Sequence, residues 1–153
     1  MKRAENKSDC PVNHSAEVFG DAWSLLIVRD IAALGKKTFS EFLESDERIG
    51  TSVLAERLLH LEHHGIITKK TDEQDRRRII YRLTATGMNV LPLLYEHAIW
   101  GVVARSPIDP SDPWAKSMHY PKAVVLAQWR ESISAGSSFM IGPNSVANKL
   151  ELL

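Results

Sequence analysis

The sequence has one cysteine, no net charge and no long apolar run, and each of these scarcities excludes a class of protein. Cys10 has no second cysteine to pair with, so a disulfide framework within the chain is excluded and a reducing compartment fits. The longest apolar runs, LLIV and AVVLA, are far shorter than the roughly 20 residues that cross a bilayer, and the N-terminal stretch lacks a signal-peptide core. We therefore expect a soluble cytoplasmic protein with no membrane segment.

The positive charge is clustered, although the 19 basic residues are balanced by 19 acidic ones. The clusters are Lys36-Lys37, Lys69-Lys70 and Arg76 to Arg78. Zero net charge argues against a protein that coats nucleic acid without specificity, but phosphate contact depends on where the positive charge lies. A specific DNA-binding protein therefore remains compatible with the composition.

Motifs of catalysis are also missing. The chain has no glycine-rich phosphate loop, no nucleophile elbow and no acid–base pair in a credible setting. His60, His63 and His64 have the spacing of metal ligands on one helix, but there is no HExxH order and no cysteine nearby. We interpret them as polar surface, and we expect no enzymatic activity, no catalytic residue, no cofactor and no metal site.

The first helices are indicated by apolar periodicity between capping residues. A helix over 13–19 ends at Gly20, and Asp21 is the expected cap of a second, largely apolar helix over 22–34. A capping box formed by Thr38 and Glu41 then starts a short third helix that ends near residue 45.

A longer fourth helix follows a polar break. It is predicted over 51–64, with Leu54, Leu58 and Leu61 on its buried face and Gly65 as its C-cap. A short helix, a tight turn and a longer helix together predict a helix-turn-helix.

A β-hairpin after the fourth helix makes the unit winged. GIITKK and IIYRLT read as strands, and DEQDRRR between them reads as a polar tip. The tip has no Asn-Gly pair, so a loop longer than two residues is expected.

The C-terminal part of the sequence gives weaker signals. Thr84 is the expected cap of a long helix over 85–104 that Pro92 kinks. The stretch from Ser106 resembles a linker, a helix is predicted over 122–134, and the polar tail from Gly136 gives no clear prediction of order. The fold class is therefore mainly α with a small β-hairpin, divided into a winged helix-turn-helix and dimerisation domain at 10–104 and a C-terminal extension at 105–153. Three tryptophans in these parts are interpreted as core or interface residues: Trp100, Trp114 and Trp129.

The candidate DNA contacts lie on two helices. A recognition helix reads bases from its N-terminal turns, and hydroxyl and carboxylate groups there can hydrogen-bond to base edges. In the fourth helix the candidates are Thr51, Ser52, Glu56, Arg57 and His60. At the start of the third helix they are Lys37, Thr38 and Ser40.

The wing supplies a third group, Arg76, Arg77 and Arg78. Guanidinium groups on a hairpin can reach phosphates or a narrow minor groove, and the counterions they release make affinity depend on salt. The competing interpretation is a solvated tip whose charges only prevent aggregation of the sheet edge. Behind a helix-turn-helix we favour phosphate contact.

The order of motifs resembles the HxlR family of bacterial winged helix-turn-helix transcriptional regulators. The resemblance covers about residues 10–101 and rests on FGDAWSLLIVRDI, KKTFSEFLES, IGTSVLAERLLHLEHHGIITKK, DRRRIIYRLTATG and VLPLLYEHAIWG. It implies a homodimer whose recognition helices face successive major grooves of double-stranded DNA. The wing also resembles that of MarR-type ligand-responsive regulators, the alternative within the same class, while a winged helix that contacts protein without DNA is the alternative outside it.

The resemblance also concerns Cys10, which occupies the position of the oxidant-sensing cysteine of some family members. Cys10 precedes Pro11, a favourable first residue of a helix, and a helix N-terminus favours a thiolate. An unreactive thiol at the dimer edge is the competing interpretation. The signal, whether an oxidant or a small molecule, is left open.

Overall fold

The computed structural model describes residues 7–153, which fold mainly into helices with one antiparallel hairpin. The elements of this range are α1 (Pro11–Phe19), α2 (Ser24–Ala32), α3 (Phe39–Leu43), α4 (Thr51–His63), β1 (Ile67–Thr71), β2 (Ile79–Leu83), α5 (Ala85–Met88), α6 (Leu91–Ala104), α7 (Pro113–Ser117), α8 (Lys122–Ser134) and α9 (Val146–Lys149). The predicted fold class is confirmed. None of these helices is both long and apolar enough to cross a membrane.

Helix α2 lies at the centre of the core and contacts α1, α4, α6 and β2. Its Val28 and Ala32 are fully buried, as are Leu54 and Leu61 on the inner face of α4. The burial of these side chains matches the spacing of apolar residues in α2 and in α4. Two packed helices thus hold the helix-turn-helix against the rest of the molecule.

The capping side chains predicted for the starts of α2 and α3 form their hydrogen bonds. The Asp21 carboxylate accepts hydrogen bonds from the amides of Trp23 and Ser24, at 2.7 and 2.9 Å, so it satisfies the first donors of α2. Thr38 and Glu41 form the complete capping box of α3. Burial opposes ionisation of Glu41, but the amides of Lys37 and Thr38 donate to its carboxylate and lower its pKa.

The hairpin pairs Ile67 with Leu83 and Thr71 with Ile79, which leaves a long tip over 72–78 as expected. Helix α5 then packs so closely on the hairpin that a Cβ at Gly87 would stand 2.0 Å from the carbonyl oxygen of Ile66. Only glycine fits at this approach.

The prediction of one kinked helix over 85–104 is wrong. Thr84 caps α5 as expected, by accepting a hydrogen bond from the Gly87 amide, but α5 ends at Met88 and α6 begins at Leu91. Pro92 lies in the first turn of α6, where its missing N–H and fixed φ are favourable. Proline therefore starts a helix here and does not bend one.

The C-terminal segment, residues 105–153, folds and packs against the core, although the sequence resembled a linker followed by a polar tail. The linker-like stretch contains α7, and the tail contains α9. Phe139, Val146 and Leu152 are buried in the same core as α2 and α4. Trp114 stacks on Phe139 with ring centroids 4.2 Å apart, and the buried Trp129 completes an aromatic cluster with both, as its interpretation as a core residue expected.

This segment also supplies hydrogen-bond donors to the carbonyl groups at the C-terminal end of α2. The Ala32 carbonyl accepts hydrogen bonds from Trp129 Nε1 at 2.7 Å and from the Phe139 amide at 3.1 Å. The Ala33 carbonyl accepts from Ser138 Oγ at 2.8 Å and from the Met140 amide at 2.9 Å. Carbonyls at the end of a helix lack partners within the helix, so the segment supplies what α2 needs there.

Candidate nucleic-acid interface

Helix α4 exposes a stripe that begins at its N-terminus. Thr51, Ser52, Ala55, Glu56 and Leu59 are exposed, while the opposite face is buried. Two hydroxyls and one carboxylate thus face outward together with two apolar side chains. Such a set can hydrogen-bond to base edges and touch thymine methyl groups. Ala55 and Leu59 were not candidates in the sequence, since small and apolar residues give no chemical signal there.

The two candidates on the flank of α4 have partners within the protein. Arg57 forms ion pairs with Glu56 at 2.6 Å and with Asp21 at 3.5 Å. These ion pairs partly neutralise its charge and link α4 to the start of α2. The His60 Nε2 atom lies 3.0 Å from the Val18 carbonyl oxygen, so the ring faces α1 and not the exposed stripe.

The candidates at the start of α3 separate in the same way. Thr38 is buried and occupied by the capping box, whereas Lys37 and Ser40 are exposed. Ser40 Oγ lies 3.3 Å from Thr38 Oγ1. Of these three candidates, Lys37 and Ser40 therefore remain accessible to a partner.

The wing tip is a structured turn held by its own acidic residues. Asp72 accepts a hydrogen bond from the Gln74 amide at 2.9 Å, and Asp75 accepts from the Arg77 amide at 3.0 Å. The Asp72 amide donates to the Arg78 carbonyl at 2.8 Å and closes the tip. The acidic residues thus fold the tip in addition to offsetting its charge, which the sequence alone did not indicate.

The three wing arginines are exposed but differ in their surroundings. Arg78 lies 3.5 Å from Glu41 of α3, and this ion pair draws the wing toward the helix-turn-helix. Arg76 and Arg77 have no ion-pair partner among residues 7–153. Arg77 and Arg78 line an open groove of about 620 Å³ between α3 and the wing, together with Ser40 and Glu41.

An ionic network centred on the buried Asp30 links α2 to the turn between α3 and α4. Asp30, 3% exposed, binds Arg29 at 2.6 Å and Lys36 at 3.3 Å, and it accepts a hydrogen bond from the Ser45 hydroxyl. Arg29 continues to Glu47 at 2.5 Å. The hydrogen bond from Arg29 lowers the pKa of Glu47 to about 2, and the same contact raises the pKa of Arg29 above its ordinary value. The network joins the end of α2 to the turn before α4, and the sequence does not indicate it because Arg29 and Glu47 are 18 positions apart.

The remaining candidates lie outside this face. Cys10 is exposed at the N-cap of α1, directly before Pro11. His60, His63 and His64 stack edge to face, and burial with the neighbouring imidazoles lowers the pKa of His64. Within residues 7–153, no group of three or more histidine, cysteine or acidic side chains has the geometry to hold a metal ion.

Comparison with known proteins matches residues 18–108 to the model of the HxlR-like helix-turn-helix family. The chain is 32% identical over 85 residues to the uncharacterized HTH-type transcriptional regulator sll1512 of Synechocystis, a match that covers 56% of this chain and 62% of that protein, less than two thirds of its length. The crystal structure of PA1607, a candidate transcription factor, is 36% identical, with a TM-score of 0.62 over 68% of this chain and 72% of that one. The redox regulator HypR in its reduced form is 26% identical, with a TM-score of 0.57 over 63% of this chain and 95% of that one.

The matched range contains α2 to α6 with the helix-turn-helix and the wing. It ends at residue 108, near the start of the C-terminal segment. The relatives carry the names of transcriptional regulators, in agreement with the helix-turn-helix and the wing of this chain. The chain belongs to the HxlR-like helix-turn-helix family.

Proposed function

We propose that this protein is a transcriptional regulator that binds double-stranded DNA as a homodimer, on a pseudo-palindromic operator with half-sites about one helical turn apart. In each subunit the N-terminal turns of α4 enter the major groove. The wing then reaches the backbone or the neighbouring minor groove. The family membership favours this assignment over a MarR-type regulator.

The observation that carries the proposal is the exposure of two sets of side chains on neighbouring elements, the start of α4 and the groove between α3 and the wing. The groove between α3 and the wing is bordered by Ser40 on one side and by Arg77 and Arg78 on the other. Thr51, Ser52 and Glu56 are exposed at the start of α4, the helix that follows α3 across the turn. Exposed hydroxyls suited to bases and exposed guanidinium groups suited to phosphates are the two kinds of group that a DNA-binding protein needs.

The test is selection of genomic fragments by the purified protein at near-physiological salt, followed by salt titration of the enriched site. We expect a two-fold-symmetric motif. Reversing Arg76, Arg77 and Arg78 to Glu should weaken binding to all sequences and reduce the slope of log K against log salt by roughly one per arginine. A Ser52→Ala or Glu56→Ala change should alter sequence preference more than overall affinity.

Lys116→Glu is a suitable charge control. Lys116 lies on α7, outside the helix-turn-helix and the wing, and it forms no ion pair among residues 7–153. The control should bind like the native protein. A native affinity in the triple arginine variant would refute the role of the wing.

The dimer is supported by apolar surface on α1 and α6. Val12 is 76% exposed and Trp100 is 73% exposed, and a groove of about 510 Å³ lies between α2 and α6 with Leu25 and Leu94 in its lining. Large exposed apolar side chains together with an apolar groove are typical of protein–protein interfaces. Trp100→Glu should convert the dimer into a monomer in sedimentation velocity, whereas Val124→Glu on α8 should leave it intact.

We further propose that Cys10 makes DNA binding sensitive to oxidants. Its thiol is exposed at the start of α1, a helix of the proposed interface, and the similar HypR is a redox regulator. With one cysteine per chain, hydrogen peroxide can oxidise the thiols of two subunits to one disulfide between them, and the peroxide is reduced to two water molecules. A Cys10→Ser variant should keep its DNA affinity after peroxide treatment; an oxidant response equal to that of the native protein would exclude Cys10 as the sensor.

The competing function is a winged helix that contacts protein without DNA. It is favoured by the zero net charge and by the ion pair that Arg78 makes with Glu41. Salt elution from heparin separates the two possibilities, because a module that contacts only protein elutes early and a phosphate-binding dimer is retained.

A further inference from the structure

A third cavity lies between the wing strand and the C-terminal segment, and Tyr81 separates it from the groove between α3 and the wing by lining both. It has a volume of about 500 Å³. Leu83 and Met88 line one wall, and Ile133 and Ile141 line the other. The volume falls within the range of small-molecule sites. One wall comes from residues beyond the family match, so the cavity exists only because the C-terminal segment packs here.

The charge around this cavity is of one sign. Its lining contains Lys36, Lys37 and Arg82 and no acidic residue. The Lys36 ammonium is occupied by Asp30 and Ser45, so it adds mainly its alkyl stem. Lys37 and Arg82 are exposed, and within residues 7–153 neither forms an ion pair. Two uncompensated cations beside a cavity attract an anionic group.

The rest of the lining is suited to an apolar body. Ile141 is 57% exposed although it borders the cavity, and the neighbouring Met88 and Ile133 are half-buried. Ser137 Oγ accepts a hydrogen bond from the Asn144 amide, which leaves its own proton for donation. Apolar walls with a few polar groups at one side are characteristic of sites that fix the orientation of a small ligand.

We propose that this cavity binds a small amphipathic anion, with its apolar body between the wing strand and the C-terminal segment and its acidic group toward Arg82 and Lys37. The charge selects the anion, and the aliphatic side chains select a ring or short chain over a sugar or a free phosphate. The site is separate from the proposed groove between α2 and α6 and does not depend on DNA binding.

The probe for this site is 1-anilinonaphthalene-8-sulfonate, which combines an aromatic body with one sulfonate and gains fluorescence when it leaves water. Titration of the full chain should give a saturable increase. Arg82→Gln should weaken binding roughly fivefold, the effect of losing one partly exposed ion pair. Ile141→Glu should weaken it further, because it removes apolar contact and places a negative charge at the cavity.

Two controls make the result specific. Arg76→Gln removes an exposed cation of the wing tip and should leave the dissociation constant unchanged. N-phenyl-1-naphthylamine, the same ring system without the sulfonate, should bind more weakly than the sulfonate and should not respond to Arg82→Gln. Circular dichroism of each variant verifies that it is folded.

The remaining outcomes overturn the proposal. If the sulfonate fails to bind, or if folded Arg82→Gln and Ile141→Glu variants bind it as the native protein does, the cavity is not its site. If the uncharged probe binds as tightly as the sulfonate, the site does not select anions.

Discussion

The winged-helix unit, residues 18–104, and the C-terminal segment both bury polar side chains, but with different partners. The buried set of the first is Ser24, Asp30, Thr38 and Ser45, and that of the second is Ser117, Ser132, Ser138 and Ser145. In the winged-helix unit the partners are helix starts and one ionic network, all close in sequence. In the C-terminal segment Ser132 and Ser145 bond locally, but Ser138 donates to the Ala33 carbonyl at the end of α2, 105 residues away.

This difference shows that polarity of sequence is a poor guide to exposure when each hydroxyl has an acceptor. No buried side-chain polar atom of residues 7–153 lacks a hydrogen-bond partner. Buried serines therefore cost little once they are paired. The two regions should behave as one cooperative structure, and the following changes test that expectation.

The largest effect is expected from Trp129→Ala. The side chain is fully buried against Trp114 and Phe139, so its removal leaves a cavity and should lower the free energy of unfolding by about 3–5 kcal/mol. Urea unfolding followed by circular dichroism measures the change. Trp129→Phe, which mainly loses the hydrogen bond to Ala32, should cost less. Two separate transitions in the native protein would instead mean that the regions fold independently.

A smaller effect compares one polar contact from each region. Thr38→Ala removes the cap of α3 and should cost about 1 kcal/mol, a typical value for a cap. Ser138→Ala removes a hydroxyl from the Ala33 carbonyl, which keeps its bond to the Met140 amide, and should cost a similar amount. Ser40→Ala, at an exposed site on α3, is the control and should be nearly neutral. A much larger loss for Ser138 alone would indicate that the distant contact organises the C-terminal segment.

The smallest effect concerns acid. Arg29 lowers the pKa of Glu47 to about 2 in the folded protein from an ordinary 4.5. The stability it contributes is therefore complete above pH 4.5 and is lost as the pH falls toward 2. Glu47→Gln should reduce the loss of stability over this window, modestly because the carboxylate is about a third exposed. Glu44→Gln, on the same turn, is the control; identical acid profiles for the two variants would contradict the role of Arg29.

Much of the winged-helix unit was predictable because its signals are local. The Thr38 capping box, the leucines of α4 and the strand pattern after Gly65 each lie within a few residues of one another. The break before Pro92 was missed because a proline in a helical pattern is compatible with both a kink and a start. The cap at Thr84 did not distinguish the two.

The candidate site was predictable as a set of residue types but not as a surface. The sequence indicated the exposed start of α4 and the wing arginines, yet gave no sign that His60 faces Val18 or that Arg78 pairs with Glu41. The C-terminal segment was the least predictable. Its short helices lack periodicity, and its aromatic cluster depends on contacts across the whole chain.

The hydrogen bonds from the C-terminal segment to the end of α2 form late during synthesis of the chain. Ser138 follows its acceptor Ala33 by 105 residues, and Trp129 follows Ala32 by 97. At roughly 5–20 residues per second, ribosomal synthesis needs about 5–20 s to cover that separation. During this interval α4 and the wing are synthesised, while the carbonyls of Ala32 and Ala33 still lack their donors from the C-terminal segment. The nascent chain acquires its complete core only when nearly all of it has left the ribosome.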